Sequence, residues 1–324
     1  MKPYLTLSLT DVCNMRCRYC PPAGETYHTT HAIFSPEKVL GVCQAAVDLG
    51  IRKIRLSGGE PSLYPHLQQV VEGAFQLGLE VHMNTNGLLL AHHLDWLEQV
   101  PGVTIKVSLD ACTPEVLRQV SGSSRLDDIL TGLRLGAQKG LIQRINFVLT
   151  RLNADQLPGI LALCWELGVG LKIFDMFPVP ETTAAWQELY LPADFLPLEG
   201  KPLPPNRYTA HFGTPTRELL VDGVHVRVKT CLDGTRYHPS CAACPFFPCP
   251  EGLYCLMVTP SLTVIPCRLG EHLFRRCETF EQVKEAIQAG MSLYAESHFA
   301  QFYRGELKPI PVSIAACPAE VVGC

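Results

Sequence analysis

The sequence predicts an α/β fold: a partial (β/α)6 barrel, TIM-like in plan, with a cysteine-rich C-terminal region. Three observations predict it. Short β-rich runs alternate with amphipathic helical stretches through the first half of the chain. Polar residues and glycines cluster where those runs end. After about Phe177 the alternation stops, prolines become frequent and cysteines crowd one late segment. Regular βα alternation implies a parallel sheet with right-handed crossovers.

The candidate strands are Leu5–Thr10, Lys53–Ser57, Glu80–Asn84, Val103–Ser108, Ile145–Thr150 and Gly170–Met176. The helical stretches between them are Pro36–Leu49, His66–Leu77, His92–Gln99, Leu126–Lys139 and Gln156–Leu167. Ser35 ahead of Pro36 reads as an N-cap followed by proline at the first helical position. In parallel α/β sheets, sites assemble outside the carboxyl ends of strands. There the sequence places Asp11 to Cys20, Gly58-Gly59-Glu60-Pro61, Thr85-Asn86-Gly87, Ser108 with Asp110, and Arg151 with Asn153. Five loops are expected to meet at one mouth.

Prolines 178, 180, 192, 197, 202, 204 and 205 exclude a long helix from the next stretch. Glu218–Val221 and His225–Lys229 flank Asp222-Gly223, a hairpin signal. A second apolar pair, Leu256–Thr259 and Thr263–Pro266, flanks Pro260-Ser261-Leu262. The expected division is a barrel over residues 1–198 and an appended region over 199–324.

Composition narrows the function. The chain has 324 residues, is 47% hydrophobic and carries a net charge of −4. No bulk attraction to nucleic acid or anionic membrane follows from that charge. No apolar run reaches the length of a membrane span, and Thr6, Ser8, Thr10 and Asp11 interrupt any signal-peptide core. A cytoplasmic protein is expected. Fifteen cysteines are many for that compartment, where thiols favour metal or cluster ligation over disulfides. Cys43, Cys112 and Cys164 are scattered and are expected to be core or structural residues.

Cys13-Asn14-Met15-Arg16-Cys17-Arg18-Tyr19-Cys20 has CxxxCxxC spacing. Three thiolates on one loop suit a cubane iron–sulfur cluster with one iron left free of protein. A zinc site is the alternative, although structural zinc usually takes four protein ligands. Gly58-Gly59-Glu60-Pro61, one βα unit later, favours the cluster, because paired glycines allow close approach of backbone.

These segments resemble the radical S-adenosylmethionine (SAM) superfamily and, within it, the MoaA family, the GTP cyclases of molybdopterin biosynthesis. The resemblance rests on Tyr4–Cys20, Lys53–Leu63, Thr85-Asn86-Gly87, Val107–Asp110 and Arg144–Asn153, in family order. It implies a [4Fe-4S] cluster held by Cys13, Cys17 and Cys20, with SAM on the open iron. It implies an enzyme, lyase-like in its nearest relatives, that cleaves SAM reductively to a 5′-deoxyadenosyl radical and abstracts hydrogen from a substrate. Tyr19, Gly58, Gly59, Glu60, Pro61, Thr85, Asn86 and Ser108 would lie in the SAM site. Glu60 is expected to orient the glycine loop. Asp110 either caps the following helix or faces the site. The electron donor would be of the flavodoxin or ferredoxin kind.

The resemblance also implies a second [4Fe-4S] cluster. Cys241, Cys244 and Cys267 stand at its ligand positions, and Cys249 is a fourth candidate. With three ligands the open iron could take substrate; with four the cluster would conduct electrons or stabilise the region. A structural zinc site using His238 or Cys231 is the alternative, and Cys255 is expected in the core.

Arg55 and Arg144 match cationic substrate contacts of the family. Thr6, Cys255 and Met257 stand where it carries arginines, so weak or absent GTP cyclisation is expected. At the tail, Cys324 replaces the last of two family glycines. Its thiol would donate hydrogen to a product radical or ligate iron, unless the terminus is frayed. The first functional reading is therefore a MoaA-like enzyme acting on a small molecule such as a nucleoside or nucleotide. The others are a divergent GTP cyclase, a peptide maturase and a non-catalytic iron–sulfur or zinc protein. No peptide-recognition segment precedes Cys13, which counts against the maturase.

Overall fold

The computed structural model describes residues 4–21, 33–176, 180–193, 196–203, 217–229, 238, 256–268 and 270–296. Six parallel strands follow one another in chain order: β1 (Leu5–Ser8), β2 (Lys53–Ser57), β3 (Glu80–Thr85), β4 (Thr104–Ser108), β5 (Ile142–Leu149) and β6 (Gly170–Asp175). Alternate residues, among them Leu5, Leu7, Ile54, Leu56, Val81, Ile105, Phe147 and Ile173, are buried in one continuous core. The intervening positions carry Thr6, Arg55, His82, Lys106, Arg144 and Lys172. A strand's side chains alternate between its two faces, so one face of the open barrel is apolar under helices and the other polar.

Helices α1 (Pro36–Asp48), α2 (Leu67–Gln76), α3 (Leu94–Leu97), α4 (Pro114–Ser121), α5 (Leu126–Gln138) and α6 (Leu157–Leu167) form the crossovers. Ser35 caps α1 by accepting from the Lys38 N–H at 3.3 Å. Cys43 and Cys164 are buried within α1 and α6, as the sequence predicts. The expected helix over His92–Gln99 is shorter and begins as a 3-10 turn over Leu90–His93. Helix α4 is not among the expected elements, although Thr113, Pro114 and Gly122 mark it. The Thr113 side chain accepts from the Val116 N–H, and Gly122 ends the helix at φ +74°.

The sheet continues beyond both ends of this series. Strand β9 (Val224–Lys229) lies parallel to β6, and β8 (Arg217–Val221) and β7 (Lys201–Pro202) follow antiparallel. Asp222 and Gly223 turn between β8 and β9 with φ of +47° and +84°, the primed geometry that matches strand twist. On the other side β10 (Leu256–Val258) lies parallel to β1, followed by β11 (Thr263–Ile265) and β12 (Arg275–Arg276). The late segments therefore supply both outer edges of the described sheet. Two further helices, α7 (Thr183–Leu189) and α8 (Phe280–Ala295), complete the described elements. Helix α8, also unforeseen, opens with a reciprocal Thr279–Gln282 capping box. No described helix is long and apolar enough to cross a membrane.

Candidate functional site

The three cysteines follow β1 on a single loop. Cys13 and Cys17 are half-buried and Cys20 is exposed. The loop is held by backbone on two sides. The Arg16 and Arg18 N–H groups donate to Ser121 and Val120 at the end of α4, at 2.8 and 2.9 Å. The Gly59 and Glu60 N–H groups donate to Thr10 and Val12, at 2.6 and 2.8 Å.

This second contact explains the paired glycines. A Cβ on Gly58 would stand 2.4 Å from the Thr10 carbonyl oxygen, and one on Gly59 2.2 Å from that of Val12. Gly58 also has φ of +130°, which side-chain-bearing residues rarely adopt. The close approach is thus between the glycine segment and the cysteine loop.

Glu60 joins a third loop. Its buried carboxylate accepts from the Ser62 N–H (2.9 Å), the Thr85 hydroxyl (2.7 Å) and the Asn86 N–H (2.7 Å). Burial raises its pKa, and these bonds pull it back. A carboxyl with every partner donating is an orienting group. Asn86 continues the chain of contacts, donating to Asn14 at 2.7 Å and approaching the Cys13 sulfur at 3.9 Å.

Asp110 joins the remaining two loops, and it does not cap the following helix, since Thr113 does. Its carboxylate accepts from the Tyr19 hydroxyl at 2.5 Å and the Val148 N–H at 2.8 Å, and its carbonyl accepts from Asn153 at 2.9 Å. Burial pushes the Asp110 pKa up to about 6, and burial beside this carboxylate holds the Tyr19 phenol well above its ordinary value. Burial likewise raises the Cys13 and Cys17 thiols. Ser108 lies at the end of β4, in register with Asn146 of β5.

All five strand-end loops are therefore stitched to one another around the cysteine loop. Among the described residues, no three thiol, imidazole or carboxylate groups stand together at metal-binding separation. The Cys17 thiol is near enough to Cys20 and Cys13 to feel their charge. The donor set, three thiols on eight consecutive residues held by backbone, fits a cubane cluster with one open iron.

Arg55 and Arg144 lie on the polar face of the sheet. Arg144 donates to Asn146 at 3.0 Å, and burial lowers its pKa to about 9. Cys267 is buried just beyond β11. Cys241, Cys244, Cys249, Cys255 and Cys324 lie outside the described residues. Sequence reasoning missed the Tyr19–Asp110 bond, whose residues are 91 positions apart. It also missed the cations of β4 and β6, whose signal is the alternation in Thr104–Ser108 and Gly170–Asp175.

Comparison with known proteins agrees with this geometry. Residues 7–164 match the radical SAM superfamily family model. The chain is 35% identical over 179 residues to a Sulfurisphaera tokodaii protein named "Probable GTP 3′,8-cyclase", covering 54% of this chain and 56% of that one. It is 28% identical over 196 residues to the GTP 3′,8-cyclase of Listeria welshimeri, covering 59% of each. The chain thus spans little more than half the length of these two relatives. Against Streptococcus suis SuiB the fold superposes with a TM-score of 0.65 at 17% identity, over 91% of this chain and 67% of SuiB. Against anSMEcpe with bound AdoMet the values are 0.55 and 13%, over 94% and 84%. With the cysteine loop, the glycine segment and the parallel strands that join them, these matches make residues 7–164 a radical SAM domain similar to that of the GTP 3′,8-cyclases.

Proposed function

We propose that the chain cleaves SAM reductively and uses the resulting radical on an anionic small molecule other than GTP. The observation that carries this reading is the hydrogen-bonded joining of five strand-end loops around Cys13, Cys17 and Cys20. When bound, a [4Fe-4S] cluster would supply one electron to the SAM sulfonium, releasing a 5′-deoxyadenosyl radical that abstracts hydrogen from the substrate. The chain's own part is positioning. Glu60 holds the glycine segment against Thr85 and Asn86, and Asp110 holds Tyr19. Cluster assembly on this loop would need deprotonation of the three thiols, which burial opposes at Cys13 and Cys17.

A second [4Fe-4S] cluster on Cys241, Cys244, Cys249 and Cys267 belongs to the same proposal, as does a flavodoxin- or ferredoxin-like donor in the cytoplasm. A divergent GTP cyclase is the second reading. It is favoured by the named relatives and by Arg55 and Arg144, and opposed by neutral Thr6 and Met257. Anaerobically reconstituted, dithionite-reduced protein should show a reduced-cluster paramagnetic resonance signal that changes shape when SAM is added. A signal indifferent to SAM would defeat the proposal.

A further inference from the structure

On the polar face of the sheet, the Thr6 hydroxyl of β1, Nδ1 of His82 on β3 and the side-chain carbonyl of Asn84, also on β3, are buried without a hydrogen-bond partner. Thr6 is fully buried and His82 is 8% exposed. Buried polar atoms are nearly always paired with protein, water or ligand, because an unmade bond costs stability. Three on one face of two strands mark a place built to receive a polar molecule.

Register brings them together. Thr6 stands beside Arg55 on β2, Arg55 beside His82, and Asn84 beside Lys106 on β4. Thr6 and His82 are thus two strands apart, roughly 10 Å between backbones, too wide for a bond between them and wide enough for a small molecule. Glu80 does not serve His82. It pairs with Lys53 at 3.0 Å and lies 3.9 Å from Nε2 of the ring, beyond hydrogen-bond length. Burial, then Lys106 and Lys53, push the His82 pKa down to about 2, so the ring is neutral and carries one donor and one acceptor nitrogen.

Acceptors and donors alternate across this patch. The Asn84 carbonyl only accepts, and the neighbouring Arg55 and Lys106 only donate. A phosphate or carboxylate oxygen suits the cations and leaves the Asn84 carbonyl unpaired. An ammonium suits that carbonyl and is repelled by the cations. A hydroxyl donates and accepts at once, so a set of adjacent hydroxyls satisfies the carbonyl, the cations, Thr6 and His82 together.

We propose that Thr6, His82 and Asn84 are specificity residues that hold the hydroxylated, sugar-like part of the substrate against β1 and β3, with Arg55 and Lys106 donating to the same hydroxyls. This deepens the reading of the chain as a radical SAM enzyme acting on a small molecule, and rests on it. Asn84 lies two residues before Asn86, which donates to Asn14 of the cysteine loop at 2.7 Å. Hydroxyls held at Asn84 therefore lie about one same-face step along the strand, roughly 7 Å, below that loop.

Calorimetric titration of the reconstituted holoprotein with ribose 5-phosphate and with inorganic phosphate tests the pocket. Ribose 5-phosphate should bind tenfold or more tighter, since several hydroxyl bonds of roughly three- to tenfold each separate the two. Thr6→Val and His82→Phe should each cut that preference by roughly three- to tenfold and leave phosphate binding unchanged. Ligand-free Thr6→Val should melt no lower than the parent, because the hydroxyl it removes makes no bond. The proposal is overturned if ribose 5-phosphate binds no tighter than phosphate, if a folded variant keeps the full preference, or if ligand-free Thr6→Val melts lower, which would show the hydroxyl already paired with water. The titration needs no SAM turnover. A cluster signal that still responds to SAM beside such a failure would strike the pocket and leave the radical SAM reading standing.

Discussion

Asp110 accepts the Tyr19 hydroxyl at 2.5 Å while holding the Val148 N–H at 2.8 Å, so one carboxylate ties the cysteine loop to both β4 and β5. Tyr19 lies between Cys17 and Cys20, so the bond anchors the cysteine loop itself. The tie is charged, buried and titratable, and this gives the first prediction.

Burial lifts the Asp110 pKa from 3.8 to about 6. The folded state then binds a proton more tightly than the unfolded one, so stability from this group is full below the unfolded value and is lost as pH rises through about 6. Asp110→Asn removes the dependence. In urea unfolding of the cluster-free chain, the variant should gain on the parent by up to about 3 kcal/mol between pH 4 and pH 7. A constant difference across that range would mean that Asp110 stays ionised throughout.

Gly59→Ala tests the contact between the glycine segment and the cysteine loop. The added Cβ would stand 2.2 Å from the Val12 oxygen, and backbone lies on both sides of the clash. Overpacking of this kind costs roughly 1–3 kcal/mol. The variant should melt lower and retain less iron after reconstitution than the parent. Normal iron content and melting would show that the loop yields freely.

Much of this was legible in the sequence. Lys53–Ser57 is the strand that its alternation predicts, and Asp222-Gly223 marks the turn between β8 and β9. The five strand ends could be named because parallel βα order sends every such loop to one side. Helix α4 was less legible because it is short: Val116, Leu117 and Val120 share one face, but eight residues make a quieter signal than a long amphipathic stripe. The outward growth of the sheet was illegible for another reason. Nothing local in Val224–Lys229 or Leu256–Val258 says that the first pairs with β6 and the second with β1, since that register is set by contacts over long sequence separation.

Glu60→Gln separates an orienting carboxylate from a catalytic acid. An amide can match the accepting oxygens only in part, because its NH2 would face the N–H of Ser62 or Asn86 or the Thr85 hydroxyl. Losing a charge-assisted bond and turning a donor on a donor should cost about 1.5–3 kcal/mol of stability. Thermal unfolding of the cluster-free variant checks this. Unchanged stability would remove the orienting role.

Iron counting tests the second cluster. With Cys13, Cys17 and Cys20 all changed to alanine, the proposal expects about one cubane still bound, held by Cys241, Cys244, Cys249 and Cys267. Zinc without iron in that variant would make the late cysteines a structural metal site.

Turnover of GTP should be weak or absent, because Thr6 and Met257 present no charge on their side of the barrel and each missing charge-assisted contact costs on the order of 1.5–3 kcal/mol of binding. Product analysis at micromolar GTP checks this. Robust conversion would restore the divergent-cyclase reading.

The central claim is that the loop of Cys13, Cys17 and Cys20 generates a radical from SAM. The most direct measurement is 5′-deoxyadenosine formed by anaerobically reconstituted, dithionite-reduced protein, compared with Cys17→Ala prepared identically. The account predicts steady formation by the parent and none above background by the variant. Equal formation by both, or none by a parent that carries its full iron, would contradict it.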